Sequence, residues 1–300
     1  MSQSSSDSGS DLPEDMIVRL ADIKTIGQLF QSGVLKAAAT PRYNAKPEFL
    51  DRVSLFQGDI TVMEVDSIVN AANRSLLGGG GVDGAIHAAA GRKLYKECKT
   101  LNGAETGESK ITSAYRLPSK HIIHTVGPVY SRSDVENRAR QLEACYRTSL
   151  NLAVEHNLKH IAFPSVSTGI YGYPIEDATH IALDLVRRFC ESDVGSKLDR
   201  IIFVVWSNKD TEVYETLIPE YFPSSDATQA PPSDEDSTVT DPPRSDDLKA
   251  TDPPTSDDPT TTVDATSAAA SDPPTAEVSA STEAPQVAAA DVATKAPTGS

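Results

Sequence analysis

Residues 69–91 read V-N-A-A-N-R-S-L-L-G-G-G-G-V-D-G-A-I-H-A-A-A-G, and the reading of this stretch decides the fold. Ser67-Ile68-Val69 ends a buried strand. Four consecutive glycines, Gly78 to Gly81, follow a short turn that carries Asn70 and Asn73. From Asp83 onward, Ile86, Ala90 and Leu94 fall at helical spacing. The order is therefore strand, asparagine-bearing turn, glycine loop, helix. Glycines have no Cβ, so their N–H groups can approach a ligand closely. A helix N-terminus adds unpaired N–H donors and partial positive charge. Together they form an anion site suited to phosphate, with Asn70, Asn73 and Asp83 able to hold hydroxyls or water. The same pattern also suits a surface loop in which Asp83 merely caps the helix. The spacing fits neither G-x-x-x-x-G-K-[ST] nor the dinucleotide G-x-G-x-x-G.

Working outward, Val53–Phe56, Ser67–Asn70, Lys110–Tyr115, His121–Val126, His160–Pro164 and Arg200–Trp206 read as strands. The turn at Leu117-Pro118-Ser119 makes the third and fourth antiparallel neighbours. The last strand, R-I-I-F-V-V-W, is apolar throughout and reads as buried on both faces. Asp83–Lys99, Glu136–Asn157, Ile175–Cys190 and Asp210–Tyr221 read as helices. This alternation predicts an α/β fold: a three-layer α/β/α sandwich around a mixed, mostly parallel sheet of about six strands. Leu20, Ile23, Ile26, Leu29 and Phe30 predict an amphipathic helix across Met16–Leu35, part of a helical extension over residues 16–50 that precedes a domain at 51–223.

The flanks are different in kind. Residues 1–15 read as disordered. Residues 224–300 contain no aromatic residue and hold fifteen Asp/Glu against three Lys/Arg. They thus carry a net −12 of the chain's −16, leaving −4 for residues 1–223. T-D-P-P-R-S-D-D at 240–247 nearly repeats as T-D-P-P-T-S-D-D at 251–258. Such a segment buries too little apolar surface to offset chain entropy and reads as a solvated tail. The acidic balance argues against direct DNA binding. Three scattered cysteines, Cys98, Cys145 and Cys190, without C-x-x-C spacing argue against disulfides and zinc, with Cys98 and Cys145 read as buried thiols. No apolar leader or membrane-length run is present, so cytoplasm or nucleus is expected.

Ligands of open α/β sheets bind beyond the carboxyl ends of the strands. Four loops with suitable chemistry follow predicted strands: Gly58-Asp59-Ile60, Asn70–Asp83, Ser165–Gly172 and Ser207-Asn208. Ser167 to Gly172 offers successive N–H groups for a second phosphate, and Tyr171 can stack on a sugar or base. The set points to a nucleotide with a pyrophosphate and a sugar at each end.

Over roughly Arg52–Phe222 the sequence resembles a macrodomain of the MacroD type. The resemblance rests on G-D-I-T at 58–61, V-N-A-A-N at 69–73, G-G-G-G-V-D-G-A-I-H-A-A-A-G at 78–91, T-G-E-S-K-I-T at 106–112, Y-R-L-P at 115–118, I-H-T-V-G-P at 123–128 and P-S-V-S-T-G-I-Y-G-Y-P at 164–174. It implies ADP-ribose binding, hydrolysis of mono-ADP-ribose from acidic side chains of proteins, and deacetylation of O-acetyl-ADP-ribose. It places Asp59 and Ile60 at the adenine and Asn73 at the distal ribose. Gly79, Gly80, Gly81 and Val82 fall against the diphosphate and distal ribose, and Asp83 at the attacking water. Ser167, Thr168, Gly169, Ile170 and Tyr171 cradle the phosphates, with Asn70 lining the site and Asn208 at the adenine side. Asn73 and Asp83 are the catalytic pair. Asp83 is either the base or an orienter of water. His87 reads as a local packing or capping residue and His124 as structural. No metal or cofactor is expected, and the Cys/His set of zinc-bearing macrodomains is not recognisable. The expected partners are ADP-ribosylated proteins, ADP-ribose and O-acetyl-ADP-ribose, acting on a monomer away from membranes. A non-catalytic reader of ADP-ribose and an ADP-ribose 1″-phosphate phosphatase are the alternatives.

Overall fold

Successive strand residues point to opposite faces of a sheet, and here both faces are covered. Val69, Ile123, Ile161 and Phe203 join one buried cluster, while Ile68, Ile122, Ala162 and Ile202 join a second. The computed structural model of the protein describes residues 12–225. In chain order its elements are β1 (Val18–Arg19), α1 (Ile26–Gln31), α2 (Pro47–Leu50), β2 (Val53–Gln57), β3 (Met63–Glu64) and β4 (Ser67–Ala72). Then come α3 (Gly81–Ala90), α4 (Arg92–Thr100), β5 (Ser109–Ser113), β6 (His121–Val126) and α5 (Val135–Glu155). The series ends with β7 (His160–Pro164), α6 (Ile175–Glu191), β8 (Arg200–Val205) and α7 (Asn208–Tyr221).

Six strands form one sheet in the order β2-β8-β7-β4-β6-β5. All neighbours are parallel except β5, which runs antiparallel to β6. Residues of α5, α6 and α7 fill the cluster on one face, and residues of α3 and α4 fill the other. This is the expected three-layer sandwich. Because five strands run the same way, their carboxyl ends share one rim. Among the described residues no helix is long and apolar enough to cross a membrane. The three cysteines are buried and free.

Three expectations are corrected. The segment 16–35 is not one helix. Asp22 accepts the Arg19 N–H, and Thr25 and Gln28 exchange side-chain and backbone hydrogen bonds in a capping box. These polar groups restart the chain, so only Ile26–Gln31 is α-helical. Ile23 joins the α3 side of the core and Ile26 the opposite side, with Thr25 bridging Ser54 of edge strand β2. The segment therefore crosses from face to face and belongs to the domain rather than extending it. Arg187, buried in α6, donates to Asn44 O and Tyr221 O, both at 2.8 Å, and so joins the stretch between α1 and α2 to the end of the fold.

The expected helix 83–99 is two helices. Gly91 adopts φ +81°, which favours glycine, and ends α3 before α4 starts. Finally, Trp206 does not continue the buried strand but stands 75% exposed at its end. The chain divides into units Met1–Asp234 and Glu235–Ser300. The second unit, and the expectations placed on residues 1–11 and 226–300, lie outside the described residues.

Candidate functional site

The carboxyl ends of all five parallel strands open into one cavity of about 700 Å³. Gly58, Asp59 and Ile60 follow β2, Asn73 follows β4 and Gly127 follows β6. Ser165 to Tyr171 follow β7 and Trp206 follows β8. Gly79 to Asp83 close one side.

The glycine loop is held by Asn73. Its Nδ2 donates to Gly78 O at 2.7 Å, and its Oδ1 accepts from Ser75 N and Ser75 Oγ. A Cβ on Gly79 would lie 3.0 Å from both Asn73 Nδ2 and Asp83 Oδ2, so three groups converge at one end of the cavity. Gly80 caps α3 and Asp83 is its third residue, with no side-chain cap bond. The capping alternative for Asp83 is thereby corrected: its carboxylate turns inward and accepts from Asn70 Nδ2 at 2.8 Å. His87 Nε2 lies 3.5 Å from the same oxygen. Burial holds the Asp83 carboxyl above its ordinary pKa, opposed by the Asn70 hydrogen bond and by His87. Burial likewise holds His87 below its ordinary value, so the ring is neutral at pH 7.

The loop after β7 is bent by Ser167, whose φ is +66°. Tyr173 N–H donates back to Ser167 O, and Gly172 N–H to Gly169 O. Ser167 Oγ is buried and has no hydrogen-bond partner among the described residues. Gly127 makes the close approach possible, because a Cβ there would sit 2.1 Å from Ser167 Oγ. Exposed Ile170 reaches over the glycine loop, its Cδ1 2.9 Å from where a Cβ on Gly80 would stand. Thr168, Gly169, Tyr171, Gly81 and Val82 complete this middle section. At the far end Asp59 caps a turn at Ile60–Val62, its Oδ1 accepting from Thr61 N and Oγ1 at 2.8 Å.

Two expected lining residues are not there. Asn70 is fully buried behind the wall and touches Asp83 and His124. Asn208 instead accepts from Gln57 Nε2 at 2.7 Å, and Trp206 and Asp210 line the cavity in its place. Sequence reasoning also passed over Gly127. Its signal was a glycine directly after a buried strand, as Trp206's was a lone tryptophan at a strand end.

Among the described residues the fold brings together one group that chain separation concealed. Donor atoms of His87, Cys98 and His124 lie within 4.8 Å of one another and could hold a metal ion. His124 Nε2 is already 2.9 Å from Thr112 Oγ1, and burial pushes the Cys98 thiol up to about 12. A metal would have to displace that hydrogen bond and take the thiol proton.

The Macro domain family matches residues 69–182. Rat ADP-ribose glycohydrolase MACROD1 is 49% identical over 191 residues, covering 64% of this chain and 74% of the rat protein. Xenopus laevis ADP-ribose glycohydrolase MACROD2 is 50% identical over 178 residues, covering 59% of this chain and 42% of that one. Among solved structures, the Trypanosoma brucei macrodomain in complex with ADP-ribose superposes with a TM-score of 0.60 at 37% identity, covering 71% of this chain and 81% of that one. The chain belongs to the Macro domain family. Within it, the resemblance to MacroD-type members holds at about half of all positions compared.

Proposed function

We propose that the protein is a MacroD-type ADP-ribose hydrolase that removes mono-ADP-ribose from acidic side chains and deacetylates O-acetyl-ADP-ribose. One observation carries this: the buried Asp83 carboxylate stands in the cavity wall against Gly79 and Asn73, next to the loops suited to a pyrophosphate. The relatives named as ADP-ribose glycohydrolases support the reaction class, and the solved ADP-ribose complex supports the ligand.

In this reading adenine lies between Asp59, Ile60 and Trp206. The pyrophosphate spans the N–H groups of the Ser167–Tyr171 loop and the glycine loop at the start of α3. The distal ribose meets Asn73, Gly79 and Asp83. Water attacks the anomeric carbon, the bond to the acyl oxygen breaks, and the carboxylate of the modified side chain leaves. Asp83 positions that water or takes its proton. The N–H groups keep the sugar in place, which contributes orientation rather than a covalent step. Incubation of a protein mono-ADP-ribosylated on glutamate should release free ADP-ribose, and calorimetry should give one ADP-ribose site. Binding without release would convert the reading to that of a reader.

A further inference from the structure

Behind Asp83 lies a run of buried polar groups that do not themselves line the cavity. Asn70 of β4 and His124 of β6 are direct partners in the parallel register, and both are 0% exposed. Asn70 Nδ2 lies 2.8 Å from Asp83 Oδ1 and 3.0 Å from His124 Nδ1. His124 Nε2 lies 2.9 Å from Thr112 Oγ1 of β5 and 3.7 Å from Cys98 Sγ of α4. Asn70 Oδ1 is buried and has no partner among the described residues.

We infer that His124 is a positioning residue for hydrolysis, whose bare Nδ1 takes one N–H of the Asn70 amide and so holds the other N–H on Asp83. The inference rests on the reading that the Asp83 carboxylate handles the attacking water.

An amide nitrogen has two protons. One goes to the Asp83 carboxylate, which can only accept while ionised. The other must go to a ring nitrogen with a free lone pair, so His124 carries its proton on Nε2 and donates it to Thr112. The opposite tautomer would turn the Asn70 oxygen toward a protonated Nδ1. That oxygen would then stand against the Asp83 oxygen 2.8 Å away, and an ionised carboxylate would repel it. An ionised Asp83 and the Nε2–H tautomer of His124 thus go together. A buried carbonyl left unpaired is otherwise costly. Here it is the consequence of giving both amide protons to Asp83 and His124. The charged and titratable groups facing Asp83 are His87 from α3 and Cys98 from α4, while His124 of β6 lies beside His87 and reaches Asp83 through Asn70. Burial keeps His124 uncharged, with its pKa near 3.

Three variants separate this from a merely structural role. His124→Asn places an acceptor where Nδ1 stood. His124→Gln reaches only the Nε2 position, toward Thr112. His124→Leu keeps neither. His124→Asn should hydrolyse within about threefold of the parent with the same acid limb in its pH–rate profile. The Gln and Leu variants should bind ADP-ribose within about threefold of the parent and turn over roughly tenfold more slowly. Their acid limb should move up by about one pH unit, because the ionised form of Asp83 loses a fixed donor. Should the Leu variant fail to fold, the Asn and Gln pair still decides. Imidazole ¹⁵N shifts of the unsubstituted protein should show Nδ1 bare and Nε2 protonated, whatever the role of Asp83. A protonated Nδ1, a Gln variant that matches the parent while the Asn variant does not, or three profiles that coincide with the parent would overturn the inference. A parental rate in Asp83→Asn would instead overturn the reading beneath it.

Discussion

Replacing Asp83 by asparagine and, separately, by alanine divides its chemistry from its part in the fold. The residue is 3% exposed and its carboxylate accepts from Asn70. Burial raises its folded pKa above the ordinary carboxylate value, against the opposing influence of Asn70 and His87. A raised carboxyl pKa sets the sign: its stability contribution is complete below the unfolded value, about 3.9, and is lost as pH rises through the folded value. At pH 7 the ionised Asp83 therefore works against folding. Asp83→Asn removes the charge and keeps an oxygen for Asn70, so its Tm at pH 7 should equal or exceed the parent's. The difference should shrink toward pH 4. Asp83→Ala leaves an Asn70 N–H unpaired, which costs about 1–3 kcal/mol. At about 2–4 °C per kcal/mol for a domain of this size, its Tm should fall by several degrees. Both variants should still bind ADP-ribose within a few-fold. Both should release it from modified glutamate roughly 10²–10⁴-fold more slowly, which is about 2.7–5.4 kcal/mol of barrier. Single-turnover release and melting curves at pH 4 to 8 measure the two effects. An asparagine variant that hydrolyses at the parental rate refutes the catalytic reading. One that melts well below the parent at pH 7 refutes the argument that the charge opposes folding.

Three further outcomes follow from other parts of the molecule. Trp206→Ala should weaken ADP-ribose binding by about 1–3 kcal/mol, the worth of stacking one base, without changing Tm; calorimetry giving an affinity within twofold of the parent would place the adenine elsewhere. Arg187→Leu strands the Asn44 and Tyr221 carbonyls and removes a cation from among Tyr43, Phe49 and Phe222, so urea unfolding should show a loss of about 3–5 kcal/mol. A loss below about 1 kcal/mol would mean the N-terminal segment is held by apolar packing alone. Asp66 is pushed up by burial, but hydrogen bonds from Lys120 and the Lys159 N–H outweigh this and hold it below its ordinary value. Its contribution is therefore present above about pH 4 and lost as pH falls further; Asp66→Asn should melt below the parent at pH 7, with the two converging in acid.

Much of this protein was legible along the chain. Strands such as Arg200–Val205 and His160–Pro164 are marked by unbroken apolar runs. Apolar periodicity marks α5 and α6, and their alternation with strands dictates a parallel sheet with both faces covered. The glycine loop and Ser167–Tyr171 read as ligand loops from local residue types alone, and the structure brings both to one cavity. What tertiary structure decided depends on contacts between distant residues. The helical spacing of 20–30 could not reveal that Asp22 and Thr25 would restart the chain so that Ile23 and Ile26 pack on opposite faces of the sheet. Local pattern equally could not show that Asp83 turns inward rather than capping its helix, since Asn70 lies thirteen residues earlier. Asn70 itself looked like a lining residue, but strand alternation puts it under α3 and α4, beside His124. Trp206 extends an apolar run in sequence and leaves the sheet in space, because β8 ends at Val205 and the next residue reaches the rim. Local propensity is set by neighbours within a few residues. Burial, partner and protonation are set by what the sheet register places alongside, and that exists only once the strands have paired.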